Sequence, residues 1–185
     1  MSTIAAGNTL TTGFVSTSDT TGNLVLSATG TVQIQQNGTT LPALSVAPMF
    51  SATCSAGTSL TTATYTKLGF NTIVYDTNNN FSTSNNRFTP TVAGYYQFNA
   101  AFFVGTNTST RPIISLYKNG SALAQGLNAG SSLTGGINYQ VSYMAYANGS
   151  TDYFEIYGYQ DSGGTVTTNS SSAVTWFQGF LARGA

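Results

Sequence analysis

The sequence predicts an all-β chain, a sandwich or barrel of short strands. Three observations predict it. Apolar residues alternate with period two, the spacing of half-buried strands, and no segment sustains a helical period. Gly, Asn and Pro break the alternation at short intervals. Aromatic residues make up 12% of the chain while charged residues make up only 5%, against about 25% on average. A surface made polar by Ser, Thr, Asn and Gln goes with a β-rich composition of this kind.

Residues 1–45 read as a separate N-terminal arm, poor in aromatics, with only Phe14. Leu24 and Leu26 alternate, Thr29-Gly30 offers a turn, and Val32 and Ile34 alternate again, which reads as a hairpin. The segment holds too little apolar material for its own core. It is either an arm that orders on a partner or a loose tail.

The main domain spans residues 46–185. Met49 and Phe50 open its first strand, a Thr/Ser/Gly loop follows, and a second strand covers residues 65–74. A long strand covers 95–104, with Tyr96, Phe98, Ala100, Phe102 and Val104 on one face and Tyr95, Gln97, Asn99, Ala101 and Phe103 on the other. Asn119-Gly120 and Asn148-Gly149 each read as a tight hairpin, because type I′ turns need positive φ at both central residues. The last strand covers 173–182, with Trp176, Phe177, Phe180 and Leu181.

Catalytic chemistry is poorly supplied. The chain has no histidine, hence no Ser-His-Asp triad and none of the commonest metal ligand. The single cysteine, Cys54, forms neither an intrachain disulfide nor a thiolate zinc site; it reads as a small half-buried residue. No phosphate-cradling loop ends in Lys-Ser/Thr. Asp152 and Glu155 are three apart in a predicted strand and face opposite ways, so they form no local acid–base pair. The expectation is a non-enzyme without cofactor or metal. Five basic and five acidic residues cancel and are scattered, which excludes a nucleic-acid surface. No basic leader with an apolar run opens the sequence, and no stretch approaches the apolar length of a membrane helix, so neither export nor membrane insertion is expected.

From Phe70 onward the chain carries a spaced pattern: Phe70, five residues, Asp76, four residues, Phe81, six residues, Phe88, five residues, Gly94, then Tyr96 and Phe98 at alternate positions. This resembles the signature of the complement 1q-like globular domain, a relative of the tumour-necrosis-factor jelly rolls. The family's next aromatic position is Ala100 here, and Phe102 and Phe103 stand close enough to replace its volume. The ending, with Phe177, Gly179, Phe180 and Leu181, is similar to the family's last strand. The resemblance implies a ten-stranded jelly-roll sandwich that trimerises. It assigns Phe70, Phe81, Phe88, Gly94, Tyr96, Phe98, Phe177, Gly179 and Phe180 to the fold's core, with Gly94 in a turn of unusual φ. Some relatives bind calcium through loop carboxylates; Asp76, Asp152 and Asp161 are isolated here and read as solvated acids.

Two tyrosine stripes offer a separate hint of assembly. Tyr153, Glu155, Tyr157 and Tyr159 share one face of a strand, and Ile137, Tyr139, Val141 and Tyr143 share one face of another. Stripes this apolar mark either an interface or the two walls of the subunit's core. Under the first reading Tyr139, Val141, Tyr143, Tyr153, Tyr157 and Tyr159 line a homotrimer interface. The leader from Gly13 to Ile34 resembles N-terminal segments of bacteriophage structural proteins. The expected function is therefore a virion structural protein, a trimeric capsid decoration or head-fibre protein made in the host cytoplasm. Its arm would join a major capsid or other virion protein through residues 1–45. The alternative is an adhesion module that binds a host-surface glycan through the polar loops 105–111, 126–136 and 160–172, loops that read equally well as ordinary solvated connections.

Overall fold

The computed structural model describes residues 47–105, 111–126 and 136–185, together with four short strands of the preceding segment. The chain divides into two compact units, residues 1–41 and 42–185. In the first, β1 (Ser2–Ala5) pairs with β2 (Gly13–Ser16), and β3 (Ile34–Gln36) pairs with β4 (Thr39–Leu41). Most of the hairpin expected around Thr29-Gly30 lies outside the described residues. Of that segment the described residues hold only Ile34–Gln36, which are β3 and pair with β4.

The second unit holds β5 (Met49–Thr53), β6 (Ser59–Leu60), β7 (Thr66–Lys67), β8 (Thr72–Asp76), β9 (Phe81–Ser82), β10 (Arg87–Phe88), β11 (Ala93–Val104), β12 (Ile113–Lys118), β13 (Ser121–Gln125), β14 (Ile137–Asn148), β15 (Phe154–Tyr159), β16 (Val166–Thr167) and β17 (Trp176–Gly184). One sheet has five strands in the order β14-β11-β17-β5-β8. The other has six, β13-β12-β15-β10-β9, with β7 also paired to β15; a small β16-β6 ladder stands beside them. The jelly-roll sandwich is cut into more pieces than ten, because turns reduce β7, β9 and β10 to two residues each.

Rings fill the space between the sheets. Phe50, Phe70, Phe88, Tyr96, Phe98, Phe102, Phe154 and Phe177 are all buried to 1% exposure or less. Phe98 lies 4.3 Å from Phe154 of the opposite sheet, and Phe50 meets Phe177 edge-on at 4.8 Å. Offset and edge-to-face pairs of this kind add to what area burial alone contributes. At the incomplete signature position, Ala100 sits in register between Phe177 and Val141. Phe102 enters the core as expected and packs on Tyr139 at 5.5 Å, whereas Phe103 is on the outer side.

Three expectations are corrected. The strand expected over 65–74 is broken: β7 belongs to one sheet and β8 to the other. Between them Leu68 and Phe70 both turn into the core, while Thr58 Oγ1 accepts from Gly69 N and Asn86 Oδ1 accepts from Phe70 N. The chain crosses the sandwich there with its polar groups satisfied. Gly94 lies inside β11, not in a turn. Glycine is needed there because a Cβ would come 2.4 Å from the Arg183 carbonyl oxygen, beside a bulge in the β11–β17 register.

The third correction concerns the two Asn-Gly pairs. Asn119-Gly120 makes the tight hairpin, with φ of 53° and 79° and Lys118 opposite Ser121. Asn148-Gly149 does not, because β14 pairs with β11 while β15 pairs with β12 and β10. Here the Asn148 side chain, not a ladder, organises the chain. Its Oδ1 accepts from the backbone N–H groups of Ser150, Thr151 and Asp152, each at 3.0 Å. That Asx-type turn carries the chain from one sheet to the other.

Candidate functional site

The outer face of the five-stranded sheet follows from alternation. Side chains next to core residues in β5, β11, β14 and β17 must point outward. In register across the sheet, Met49 stands opposite Phe180, Phe180 opposite Gln97, and Gln97 opposite Met144; Tyr95 stands opposite Tyr146. Met144 is 52% exposed, Tyr95 47% and Phe180 46%, and Met49, Tyr75 and Tyr146 are also large exposed apolar side chains. Beyond this band run Ser51, Gln178, Asn99 and Ser142, aligned across the same four strands. An apolar band with a polar margin is the composition of a surface that another molecule covers. Phe180, expected in the core, belongs to this face. The core position one residue before it goes to Gly179, whose missing side chain admits Phe98 and Phe50.

The outer face of the six-stranded sheet carries a different arrangement. Tyr117 stacks on Tyr157 with centroids 4.0 Å apart, and Tyr65 leans on Tyr159 at 4.9 Å. Gln125 Nε2 donates to the Tyr65 hydroxyl at 2.9 Å. Beside them Glu155 is buried and accepts from Lys67 Nζ at 3.0 Å and from the Tyr157 hydroxyl at 3.4 Å. Burial pushes the Tyr117 and Tyr157 hydroxyls above their ordinary pKa, and the Glu155 charge adds to this for Tyr157. Arg111 closes one end with an ion pair to Asp161 at 3.4 Å. These tyrosines each have a ring partner within one subunit, and Tyr65 and Tyr157 a hydrogen-bond partner as well.

The residues read as interface stripes thus separate. Tyr139 and Val141 are in the subunit's own core at 5% and 6% exposure. Tyr143 lies on their side of β14, but β14 is the sheet's edge strand and leaves Tyr143 exposed. Tyr153, Tyr157 and Tyr159 are half-buried on the outer face of the six-stranded sheet. The exposed band over Met49, Tyr95, Met144, Tyr146 and Phe180 went unread in the sequence. Its one signal was that Tyr95 and Tyr146 alternate with core residues on the strands that carry them.

Asp152 and Asp76 are built into the scaffold, contrary to the expectation of solvated acids, while Asp161 is exposed. Asp152 is buried and receives Lys118 Nζ at 2.9 Å, Asn119 Nδ2 at 2.7 Å and the Asn148 amide at 3.0 Å. Burial opposes its charge, but these donors outweigh burial and hold its carboxyl below the usual value. Asp76 Oδ2 caps the Phe81 amide at 2.7 Å. Asp161 also accepts from the Arg111 amide at 2.7 Å. Among the described residues no three of His, Cys, Asp and Glu group as a metal site would require. Cys54 is buried, its thiol donating to the Asn169 carbonyl at 3.5 Å, and burial raises its pKa. A thiol kept protonated in this way is a poor nucleophile.

Comparison with known proteins follows the same line. A family model described as the C1q domain matches residues 49–182. The globular domain of zebrafish complement 1qA protein superposes with a TM-score of 0.56 at 17% identity, covering 75% of this chain and 99% of that one. Murine APRIL gives a TM-score of 0.56 at 11% identity, covering 73% and 98%. The Eiger TNF of S. frugiperda gives 0.54 at 9% identity, covering 76% and 94%. At such identities the structural likeness speaks for the fold alone. Comparison by sequence with curated proteins finds no match.

Proposed function

The chain belongs to the C1q domain family, and from that premise we propose that three copies join through the outer face of the five-stranded sheet into a non-catalytic structural trimer. The observation that carries this is the exposed band of Met49, Tyr95, Met144, Tyr146 and Phe180. Side chains of that size gain most when water is excluded from them. Three is the copy number that the resemblance to tumour-necrosis-factor jelly rolls implies. The non-catalytic reading draws on carboxylates engaged in ion pairs and caps, a buried thiol and a chain without histidine.

In its finer form the proposal makes the trimer a virion component, a capsid decoration or head-fibre protein attached through residues 1–45. Support comes from the leader's likeness to bacteriophage structural segments and from the unit boundary after Leu41. A net charge of zero leaves little self-repulsion to oppose dense packing on a particle.

Sedimentation of the full chain at micromolar concentration tests the trimer: a three-fold mass is expected, and a stable monomer overturns it. Phe180→Glu with Met144→Glu is expected to give folded monomers, because like charges on a shared apolar face cost its burial. Deleting residues 1–45 tests the attachment. Loss of particle binding with the trimer intact is expected, and binding that survives the deletion removes the anchoring role.

A further inference from the structure

We propose that the recess beside the β9–β10 hairpin binds a carboxylated saccharide, with Arg87 as the carboxylate receptor. This inference goes beyond the assembly reading and does not rest on it.

The recess is shallow and open to solvent, with about 410 Å³ of space. Its polar lining comes from Asn79, Asn80, Ser82, Thr89 and Thr91, with Arg87 as the charged member. Among the described residues no carboxylate pairs with Arg87. The salt bridges present engage Lys67, Arg111 and Lys118. What Arg87 has is a ring: its guanidinium carbon lies 4.6 Å from the Tyr153 centroid. Stacking occupies the flat face of a guanidinium and leaves its N–H edge free. A pre-positioned edge of this kind matches a carboxylate, which it can hold through two parallel hydrogen bonds.

The wall opposite is organised before any ligand arrives. Asn80 is buried at 6% exposure. With its amide oriented to satisfy both ends, Oδ1 accepts from Thr91 N at 3.2 Å, and Nδ2 donates to Thr91 Oγ1 at 3.3 Å and to the Asn78 carbonyl at 3.1 Å. Across the hairpin, Ser82 Oγ accepts from Asn85 N at 3.3 Å, and the Asn85 carbonyl is tied to Lys67 Nζ at 3.2 Å. Amides and hydroxyls at fixed positions suit a hydroxyl-rich ligand. Phe81 lines the recess but is only 5% exposed, so it offers little ring surface to a lipid chain. Lys67 is committed to Glu155, so a single unpaired cation faces the recess. One carboxylate fits that balance better than a polyphosphate.

The test is ligand-observed saturation-transfer NMR on the full chain with D-galacturonate, D-galactose and acetate. The first two differ in one carboxylate, and acetate lacks the hydroxyls. Galacturonate is expected to bind saturably and at least ten-fold more tightly than either of the others. Arg87→Gln is expected to erase the preference for galacturonate over galactose, and Arg87→Lys to weaken it several-fold. Amide shift changes in the wild-type chain are expected to centre on residues 79–91, a readout that needs no variant to fold. Absence of saturable galacturonate binding, equal binding of galactose or acetate, an unaffected Arg87→Gln chain, or shifts centred elsewhere each overturns the proposal.

Discussion

The rings of Phe50 and Phe88 lie 4.2 Å apart and within 16° of parallel, one contributed by each sheet. Phe50 stands in register with Gly179, where a Cβ would come 3.0 Å from Phe50 Cε1 and 2.7 Å from Phe98 Cδ1. Gly179→Ala is therefore expected to force the stack apart and cost about 1–3 kcal/mol, the usual range for overpacking a core. Urea unfolding of the variant beside the wild type measures it.

The sheet-to-sheet turn depends on one amide. Replacing Asn148 by Ala leaves three backbone N–H groups without their acceptor. Some will find water, so a loss of about 1–2 kcal/mol is expected. Gly149→Ala should cost more than the strain of its φ of +71° alone, since the new Cβ would lie 2.4 Å from the Ala93 nitrogen. Denaturant midpoints of the two variants give the ranking.

Acid should loosen the same turn. Asp152 has a lowered pKa in the folded chain, so its contribution is present above its unfolded value of about 3.9 and is lost as pH falls through the lower folded value. Stability is expected to decline below about pH 4. Asp152→Asn is expected to start lower at neutral pH and to show a shallower decline. Thermal melts from pH 2 to 6 separate the two cases.

Alkali should act on Tyr96, which is fully buried, donates to the Val92 carbonyl at 2.7 Å and has its pKa pushed up to about 12 by burial. A raised folded value means stability is intact below pH 10 and lost as pH rises toward 12. A shift of this size corresponds to about 3 kcal/mol. Tyr139, Tyr117 and Tyr157 are raised in the same direction, so the difference between wild type and Tyr96→Phe isolates the residue. The variant is expected to lose about 1 kcal/mol at neutral pH, for its missing hydrogen bond, and to unfold less steeply in alkali.

Legibility in the sequence followed the range of the interaction. β11 was readable because Tyr96, Phe98, Ala100, Phe102 and Val104 recur every second residue and are all buried, although Ala101 on the other face is buried as well. Asn119-Gly120 was readable because a type I′ turn is settled by its own two residues. Asn148-Gly149 carries the same dipeptide but ends a strand whose partner, β11, lies far back in the chain, and local chemistry does not choose that partner. The exposed apolar band was hidden for a related reason. β14 is apolar on both sides, with Tyr139 and Val141 on one and Met144 and Tyr146 on the other, so period two gives two faces without saying which is inside. The recess at Arg87 is assembled from Asn, Ser and Thr in a segment full of them, and only the hairpin brings them around one guanidinium.

The order of the five-stranded sheet sets a schedule for the chain. β17 is hydrogen-bonded between β11 and β5, so residues 93–148 and 49–76 share no ladder in this sheet until residues 176–184 arrive between them. A growing polypeptide would hold two unjoined half-sheets, each with a naked edge, until late in translation. The five-stranded sheet therefore closes last, after every strand of the six-stranded sheet has been made, and a ribosome-bound chain stopped before Trp176 should be protease-sensitive in residues 49–76 and 93–148.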